Sequence, residues 1–389
     1  MTQDHLDPSA IDLVSIELAR FKAVFKSRPV TLKPFNAVIG RNGSGKSTLI
    51  EALQWMDATL RRDAVEACKR YSGIHDLLNL RSQAAPAYFE VKSAWKIQDK
   101  SWKYHLKVQE DPLDGRTPLI TGERLYRKLR SGLSTEISEP ESSDRLTLSR
   151  PPSAAKNATL LKAFWKNAVF LRLSPAGLAE GSLARRSTTD PLLDEQGRNL
   201  PALLNELTIA QKQDLVQLVK SVLNDIENIT VSGNTKGRNE TVHYELHERM
   251  PYQGRTGKTL FPIPAWMLSE GTRRITAIFA LLVHDPAPSL LCIEEVENGL
   301  DPWSVIRVLS HLQSAASSRG IQVIITTHSP WVLDHVPLDS IIHVQRESGS
   351  TVYSRFCEMP NVQRYAPDIP AGTRYIEEGL AGPVGVHRV

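Results

Sequence analysis

Gly40-Arg41-Asn42-Gly43-Ser44-Gly45-Lys46-Ser47 is the stretch that decides the fold of this chain. It has the spacing G-x-x-x-x-G-K-[ST], follows the apolar run 37–39, and precedes a helical pattern over 48–60. A strand that enters a glycine-rich turn and then a helix is the context of a phosphate-binding loop. A glycine-rich turn that merely ends a strand is the alternative, and the complete set of fixed positions argues against it.

The loop predicts a phosphate site with defined roles. Glycines let successive main-chain N–H groups face one concavity, and the helix N-terminus adds positive potential there. We expect Lys46 to reach the β and γ phosphates and Ser47 to bind Mg²⁺. The residues expected to contact the nucleotide are Arg41, Asn42, Gly43, Ser44, Gly45, Lys46, Ser47 and Thr48.

A second segment, Leu268-Ser269-Glu270-Gly271-Thr272, lies directly before a helical pattern over 273–283. Ser269 is therefore expected to cap this helix, and its hydroxyl and the following N–H groups predict another anion site. An ordinary helix start is the alternative for this segment taken alone.

Two buried-strand patterns downstream end in polar residues. The apolar run 289–293 ends in Glu294 and Glu295, and the run 321–325 is followed by His328. Such runs suit a parallel sheet, whose strand ends form the ligand-binding edge. We expect Glu294 to organise Mg²⁺ and Glu295 to orient or deprotonate the attacking water. For His328 a γ-phosphate contact is favoured over a purely structural role.

Together these segments resemble an ABC-type ATPase of the RecF, OLD and SMC branch. Five motifs carry the resemblance: Walker A at 40–47, the signature at 268–272, Walker B at 290–295, the D-loop at 298–301 and the switch histidine, His328. The similarity covers about residues 11–60 and 260–345. One departure is that Glu294 occupies the position of the usual Walker B aspartate, and no Q-loop glutamine is assigned.

The resemblance implies an α/β fold: a P-loop NTPase of ABC-ATPase type, with a mostly parallel sheet flanked by helices, an antiparallel β lobe and an inserted α-helical lobe. It implies ATP and Mg²⁺ as ligands, with slow ATP hydrolysis in which Lys46, Glu295 and His328 are catalytic. It also implies a homodimer of heads, or a higher oligomer, in which Ser269 and Gly271 act in trans on ATP held by the partner. Asp301, at the D-loop, is also expected to bind the nucleotide.

Composition agrees with a cytoplasmic protein that does not enter a membrane. The chain has 389 residues, of which 41% are hydrophobic and 23% charged, and contains three cysteines. No apolar stretch approaches the ~20 residues that span a bilayer, residues 1–9 lack a signal-peptide pattern, and the cysteines suit reduced thiols. A net charge of +4 is compatible with nucleic acid as a partner.

Four segments are expected: an N-terminal ATPase half with the β lobe (1–150), a helical lobe (151–225), a C-terminal ATPase half (226–357) and an irregular tail (358–389). The alternation over 88–109 predicts a hairpin on which lysines recur among Trp95, Trp102 and Tyr104. This hairpin is either a DNA contact or a solvated sheet face over packed aromatics. We expect a second basic cluster, 124–130, to follow a helix. Residues 131–155 are expected to form a mobile loop. Residues 229–246 are expected to form a hairpin that returns to the head sheet.

Analogy with the resembled families suggests what role the ATPase serves. The residues after His328 are too few for the Toprim nuclease domain of OLD proteins, and no H-E-x-x-H or C-x-x-C motif offers a second centre. We therefore expect a separate effector protein, such as a nuclease or toxin. In motif style the chain resembles anti-phage defence ATPases of the Septu and PARIS type. The alternatives are a RecF-like DNA repair ATPase and a nucleotide-binding scaffold with little hydrolysis.

Overall fold

The computed structural model describes residues 11–130, 132–138, 142–187, 189–233, 240–250 and 259–381. Its strands are β1 Ile11–Phe21, β2 Val24–Lys26, β3 Val30–Thr31, β4 Phe35–Gly40, β5 Tyr88–Ile97, β6 Lys100–Glu110, β7 Pro118–Leu129, β8 Gly132–Ile137, β9 Ala168–Leu171, β10 Ser182–Leu183, β11 Ile226–Gly233, β12 Thr241–Arg249, β13 Leu260–Pro264, β14 Leu290–Ile293, β15 Gln322–Thr327, β16 Ile341–Glu347 and β17 Ser350–Arg355. Its α-helices are α1 Lys46–Arg61, α2 Ala64–Cys68, α3 Lys156–Lys166, α4 Leu200–Glu206, α5 Ile209–Lys220, α6 Glu270–Val283, α7 Pro302–Ser318, α8 Pro330–Leu333 and α9 Ala371–Ala381. Within these ranges no helix combines the length and apolar composition that crossing a bilayer requires.

The chain forms two compact units, one made of Met1–Lys166 with Ile324–Val389 and the other of Asn167–Val323. This division differs from the four segments expected from the sequence, because α3 belongs to the first unit and α4 and α5 to the second. Aromatic packing accounts for the place of α3. The ring of Trp95 on β5 meets the rings of Phe164 and Trp165 on α3 edge-on, at 5.0 and 5.8 Å between centroids.

The first unit contains an antiparallel sheet with the strand order β2-β1-β5-β6-β7-β8, and β3 pairs with β1. The hairpin predicted over 88–109 is confirmed as β5 and β6, with Ile97 opposite Lys100. Gln98 and Asp99 form its turn with φ values of 48° and 61°. Two left-handed turn residues give the backbone twist that suits a two-residue hairpin connection.

Parallel strands in the first unit position the phosphate loop. β16 pairs in parallel with β4, from Ile341 opposite Ala37 to Val344 opposite Gly40, β17 pairs antiparallel with β16, and β15 lies next to β4. Every residue of β4 is buried, as expected for a strand covered on both faces. β4 therefore ends at Gly40, and the loop that follows leads directly into α1.

In the second unit β9 pairs in parallel with β14, and both strands are buried at every position. A separate antiparallel sheet has the order β10-β12-β11, and β13 also pairs with β12. The hairpin predicted over 229–246 exists as β11 and β12, but its expected return to the head sheet is wrong. The reason is that β12 pairs with β10, β11 and β13 instead; residues 234–239 of this hairpin lie outside the described ranges.

Three further expectations differ from the structure. The basic cluster over 124–130 lies at the end of strand β7 and follows no helix, and the expected loop over 131–155 contains β8, which pairs with β7. The tail expected to be irregular contains α9, where buried Arg374 donates to the carbonyls of Ile369 and Ala366, each at 2.9 Å. Strand pairing and side-chain hydrogen bonds to the main chain thus organise segments whose Ser, Pro and Gly content favoured loops. Residues 131, 139–141 and 382–389 lie outside the description.

Candidate nucleotide site

The phosphate loop has the strand–loop–helix form that its sequence predicts. Gly43 and Gly45 have φ values of 71° and 102°, in the left-handed region that side-chain-bearing residues rarely adopt. A Cβ on Gly40 would lie 2.2 Å from the carbonyl oxygen of Val344 on β16. The loop conformation and the close approach of β16 therefore both require glycine.

Within the loop, Lys46 is buried, at 7% exposure, and its Nζ donates to the carbonyl oxygens of Gly40 at 2.7 Å and Arg41 at 3.1 Å. The Ser44 hydroxyl is buried and has no hydrogen-bond partner among the described residues. A buried unpaired hydroxyl is costly unless a ligand pairs with it. Arg41, Asn42 and Gly43 are exposed beside it. The buried lysine and hydroxyl beside an exposed loop fit the phosphates of a nucleoside triphosphate.

Two residues that sequence reasoning missed support the loop from β17. The Thr351 hydroxyl donates to the Ser44 carbonyl at 2.7 Å, and the Tyr353 hydroxyl donates to the Gly45 carbonyl at 3.0 Å. Burial raises the pKa of Tyr353, so its hydroxyl stays protonated and can donate. No sequence pattern indicates either contact, because more than 300 residues separate the partners.

In the second unit, β14 ends at Ile293 and is followed by the two carboxylates, both half-buried. The Glu294 N–H donates to the carbonyl of Leu171 at 2.8 Å. Glu295 has a φ of 49°, and the side-chain amide of Asn298 donates to its Oε2. A non-glycine residue in the left-handed region stores strain of about 1–3 kcal/mol, and such residues cluster at functional sites. Hydrogen bonds from Asn298 therefore hold both the main chain and the carboxylate of Glu295.

The signature segment begins α6 as predicted. Ser269 is the exposed N-cap, and its Oγ accepts the Thr272 N–H at 3.1 Å. A Cβ on Gly271 would lie 2.7 Å from the Gly299 carbonyl oxygen, and Gly299 itself has a φ of 68°. The two glycines thus bring the signature turn against the D-loop turn within the second unit.

Asp301 and His328 were also predicted site residues. Asp301 caps α7, because its Oδ1 accepts the N–H groups of Trp303 at 3.0 Å and Ser304 at 3.1 Å. Hydrogen bonds from Ser304 lower the pKa of Asp301, which keeps it ionised. His328 is exposed and directly follows β15. Lys46 and His328 lie in the first unit, whereas Ser269, Glu294, Glu295 and Asp301 lie in the second.

The Mg²⁺ ligands expected from the sequence were Ser47 and Glu294. Ser47 is the second residue of α1, and Glu294 follows β14. Among the residues that the structure describes, no group of three or more His, Cys, Asp and Glu side chains could hold a metal ion. Mg²⁺ in phosphoryl-transfer sites is typically held by one or two protein ligands together with substrate phosphates and water. The hydroxyl of Ser47 and the carboxylate of Glu294 are each a kind of ligand that suits Mg²⁺.

The β5–β6 hairpin does not offer aromatic rings to nucleic acid. Its expected stacking rings are buried, with exposures of 1%, 4% and 1% for Trp95, Trp102 and Tyr104. The prediction that these rings stack on bases is therefore wrong. Their packing in the core accounts for the alternating pattern along the hairpin. Lys96 pairs with Asp99 at 2.9 Å, while Lys100 and Lys103 are exposed. Contact between these lysines and a phosphate backbone stays a prediction.

Residues 35–334 match the family model described as "AAA domain, putative AbiEii toxin, Type IV TA system", well over half of the chain. No curated protein matches the chain.

Similar solved structures are heads of Smc proteins. The crystal structure of an Smc head bound to the C-winged helix domain of ScpA aligns with a TM-score of 0.54 and 16% identity, covering 88% of this chain and 97% of that one. An Smc head with an extended coiled coil, bound to the C-terminal domain of ScpA derived from Pyrococcus furiosus, aligns with a TM-score of 0.51 and 15% identity, covering 88% and 96%. At these identities the likeness shows the fold, which is α/β and of the P-loop ABC-ATPase type.

Proposed function

The chain belongs to the family described as "AAA domain, putative AbiEii toxin, Type IV TA system", and we propose that it binds and hydrolyses Mg²⁺-ATP. We also propose that ATP drives pairing of two copies. The phosphate loop is the observation that carries the proposal. Its glycines adopt left-handed conformations, its lysine is buried, and the Ser44 hydroxyl is buried without a partner among the described residues. A triphosphate would supply the acceptor that this hydroxyl lacks.

Each predicted residue has a chemical role in this proposal. Lys46 and the loop N–H groups hold the β and γ phosphates, and Ser47 and Glu294 would hold Mg²⁺. Bound Mg²⁺ neutralises negative charge on the phosphates. Glu295 accepts the proton of the attacking water, while His328 contacts the γ-phosphate. Ser269 and Gly271 would act on the nucleotide of a second copy, with Asp301 as a further nucleotide contact, so closure would depend on the γ-phosphate.

Pairing of two copies is proposed to control a separate effector chain in anti-phage defence. The family's description refers to a toxin and a toxin–antitoxin system. Both Smc heads are bound to a domain of a second protein, ScpA, which supports the idea of a partner. Within the described residues, no group of three or more His, Cys, Asp and Glu side chains offers a metal-dependent effector centre.

A scaffold with little hydrolysis is a second candidate. The observation that favours it is Glu294, one methylene longer than the aspartate usual at this position in the resembled branch. Mg²⁺ demands near-octahedral geometry, so a longer carboxylate changes how the ion is placed. Measured turnover separates the scaffold from the ATPase.

The deciding experiment measures equilibrium binding of Mg²⁺-ATP and release of phosphate. Lys46→Ala should abolish binding, because the triphosphate loses its charged anchor. Glu295→Gln should keep binding and stop turnover. The controls are Lys33→Ala, a surface lysine paired with Asp339 in the same unit, and Glu297→Gln, two residues from Glu295. Wild-type binding without turnover would favour the scaffold, and unchanged binding by Lys46→Ala would overturn both.

A further inference from the structure

Arg274, on α6 one turn after the signature glycine, is a buried cation in the second unit. It is 3% exposed, and burial lowers the pKa of its guanidinium. Removing a charged group from water is costly unless its donors are paired. The carboxylate of Glu270 lies 3.8 Å from Nη1, within ion-pair range but beyond a hydrogen bond.

The hydrogen bonds of Arg274 go to two main-chain carbonyls. Nη1 donates to Leu173 at 3.1 Å, and Nη2 donates to Glu295 at 3.2 Å. Leu173 lies two residues past the end of β9, and Glu295 two residues past the end of β14, the strand that pairs with β9 in parallel. One planar fork thus joins the ends of two neighbouring strands to the signature helix.

The acceptor at Glu295 is a strained residue. Its φ of 49° places it in the left-handed region, which is unfavourable for a side chain with a Cβ. Its carbonyl accepts a second hydrogen bond from the Asn298 N–H at 3.0 Å. A residue keeps such a conformation only where its surroundings hold it. Arg274 is thus one of the donors that hold this carbonyl.

We propose that Arg274 is a positioning residue: it holds the backbone of Glu295 in the left-handed conformation that aims the carboxylate, and it couples that carboxylate to the signature helix. The role rests on the proposed function, in which Glu295 accepts a proton. The contact between Gly271 and Gly299 is a second link between α6 and the same loop. A shift of α6 when Ser269 engages a γ-phosphate would therefore reach Glu295 directly.

Two variants test this role, Arg274→Lys and Arg274→Gln. Lysine keeps the charge but presents a point donor in place of the fork, and glutamine keeps N–H donors without charge. We expect kcat for ATP hydrolysis to fall about 10- to 100-fold in both, since small misplacement of a catalytic group costs that much. The Kd for Mg²⁺-ATP should stay within about twofold, because the phosphate loop keeps its own contacts.

Arg319→Lys is the matched control. Arg319 also spans two main-chain carbonyls of the second unit, those of Leu282 and His284, at the opposite end of α6 from the signature. Its replacement should lower the unfolding midpoint as the Arg274 variants do, while kcat per nucleotide-binding site stays within about twofold of wild type. Equal losses of kcat at both arginines would overturn the positioning role.

A double-mutant cycle gives the sharper test. In a Glu295→Gln background, Arg274→Lys should cause no further loss of residual hydrolysis, because the two residues act as one unit. Additive losses would overturn the proposal. If Glu295→Gln stops turnover but Arg274→Lys and Arg274→Gln hydrolyse like wild type, the positioning role fails alone. If wild type hydrolyses no ATP, the proposed function fails and the role of Arg274 fails with it.

Discussion

The side-chain hydroxyl of Thr351 donates a hydrogen bond to the main-chain carbonyl of Ser44 across 307 residues of sequence, at 2.7 Å. Thr351 is fully buried on β17, and its Oγ1 would lie 2.4 Å from a Cβ placed on Gly45. The phosphate loop is thus shaped by a distant strand as well as by its own glycines. A side chain at position 45 would collide with Thr351, so this position requires glycine.

Thr351→Val should weaken nucleotide binding while the protein stays folded. Valine has nearly the same shape but leaves the buried Ser44 carbonyl without this donor, a loss of about 1–3 kcal/mol. We expect the Kd for Mg²⁺-ATP to rise about tenfold, measured by titration calorimetry. Thr59→Val is the control, because the buried Thr59 hydroxyl donates to the Trp55 carbonyl inside α1 at 2.8 Å. Equal effects of the two variants on Kd would contradict this prediction.

Glu294→Gln should raise the Mg²⁺ concentration that gives half-maximal ATP hydrolysis by roughly tenfold, because the amide is a neutral and weaker ligand. Glu294→Asp should stay close to wild type. The measurement is a Mg²⁺ titration at fixed ATP, with Glu297→Gln as the control. An unchanged titration for Glu294→Gln would remove Glu294 from the metal site.

Ser269→Arg should leave Mg²⁺-ATP binding intact but prevent ATP-dependent pairing of two copies, because a bulky cation occupies the expected trans anion site. Light scattering in the Glu295→Gln background would measure the pairing. The substitution also removes a helix N-cap, which costs about 1 kcal/mol. Thr208→Arg controls for that loss, since Thr208 caps α5 in the same unit. Pairing by both variants, or pairing without ATP, would argue against a nucleotide held between two copies.

Asp57 should make stability depend on pH. Burial raises its pKa from 3.8 to about 6, and the ion pair with Arg61 at 2.8 Å only partly opposes this. Between those values the folded state binds more protons than the unfolded state, so the free energy of unfolding falls as pH rises. Asp57→Asn should therefore gain stability relative to wild type from about pH 4 to pH 6, by up to roughly 3 kcal/mol. Urea unfolding across this range measures the difference, and a flat difference would contradict the prediction.

Replacing Lys96, Lys100 and Lys103 together by Glu tests the predicted phosphate contact of the β5–β6 hairpin. If the contact exists, affinity for any DNA sequence should fall, and the wild-type salt dependence should show a slope of about −0.9 per contact on duplex DNA. ATP hydrolysis without DNA should not change. A triple replacement of Lys156, Lys162 and Lys166 on α3 introduces the same charge elsewhere in the unit. Equal DNA binding by both triple variants and wild type would leave the hairpin as a solvated face.

Much of the α/β fold followed from local patterns. The loop 40–47, the α6 cap at Ser269 and the β5–β6 hairpin depend on residues close together in the chain, so spacing was enough to predict them. The separate sheet of β12 and the helix α9 did not follow, because β12 also pairs with the distant strand β10 and the N–H of Gly372 in α9 donates to the side chain of Asp334. The alternation on the hairpin left two interpretations open, a nucleic-acid contact and a solvated face over packed aromatics, until burial of the rings excluded base stacking.

The amino-acid sequence by itself determined which residues we propose for the nucleotide site: the glycines and Lys46 of the loop, the carboxylates after β14 and the capping Ser269. Their chemistry and spacing are local properties. The tertiary structure alone decided what holds them in place. Thr351 and Tyr353 reach the loop across more than 300 residues, and Arg274 joins Leu173 and Glu295 across 101 and 21. A buried hydroxyl or guanidinium donates to the carbonyl that chain packing brings within hydrogen-bond distance, up to 3.2 Å here. No local sequence pattern specifies that partner.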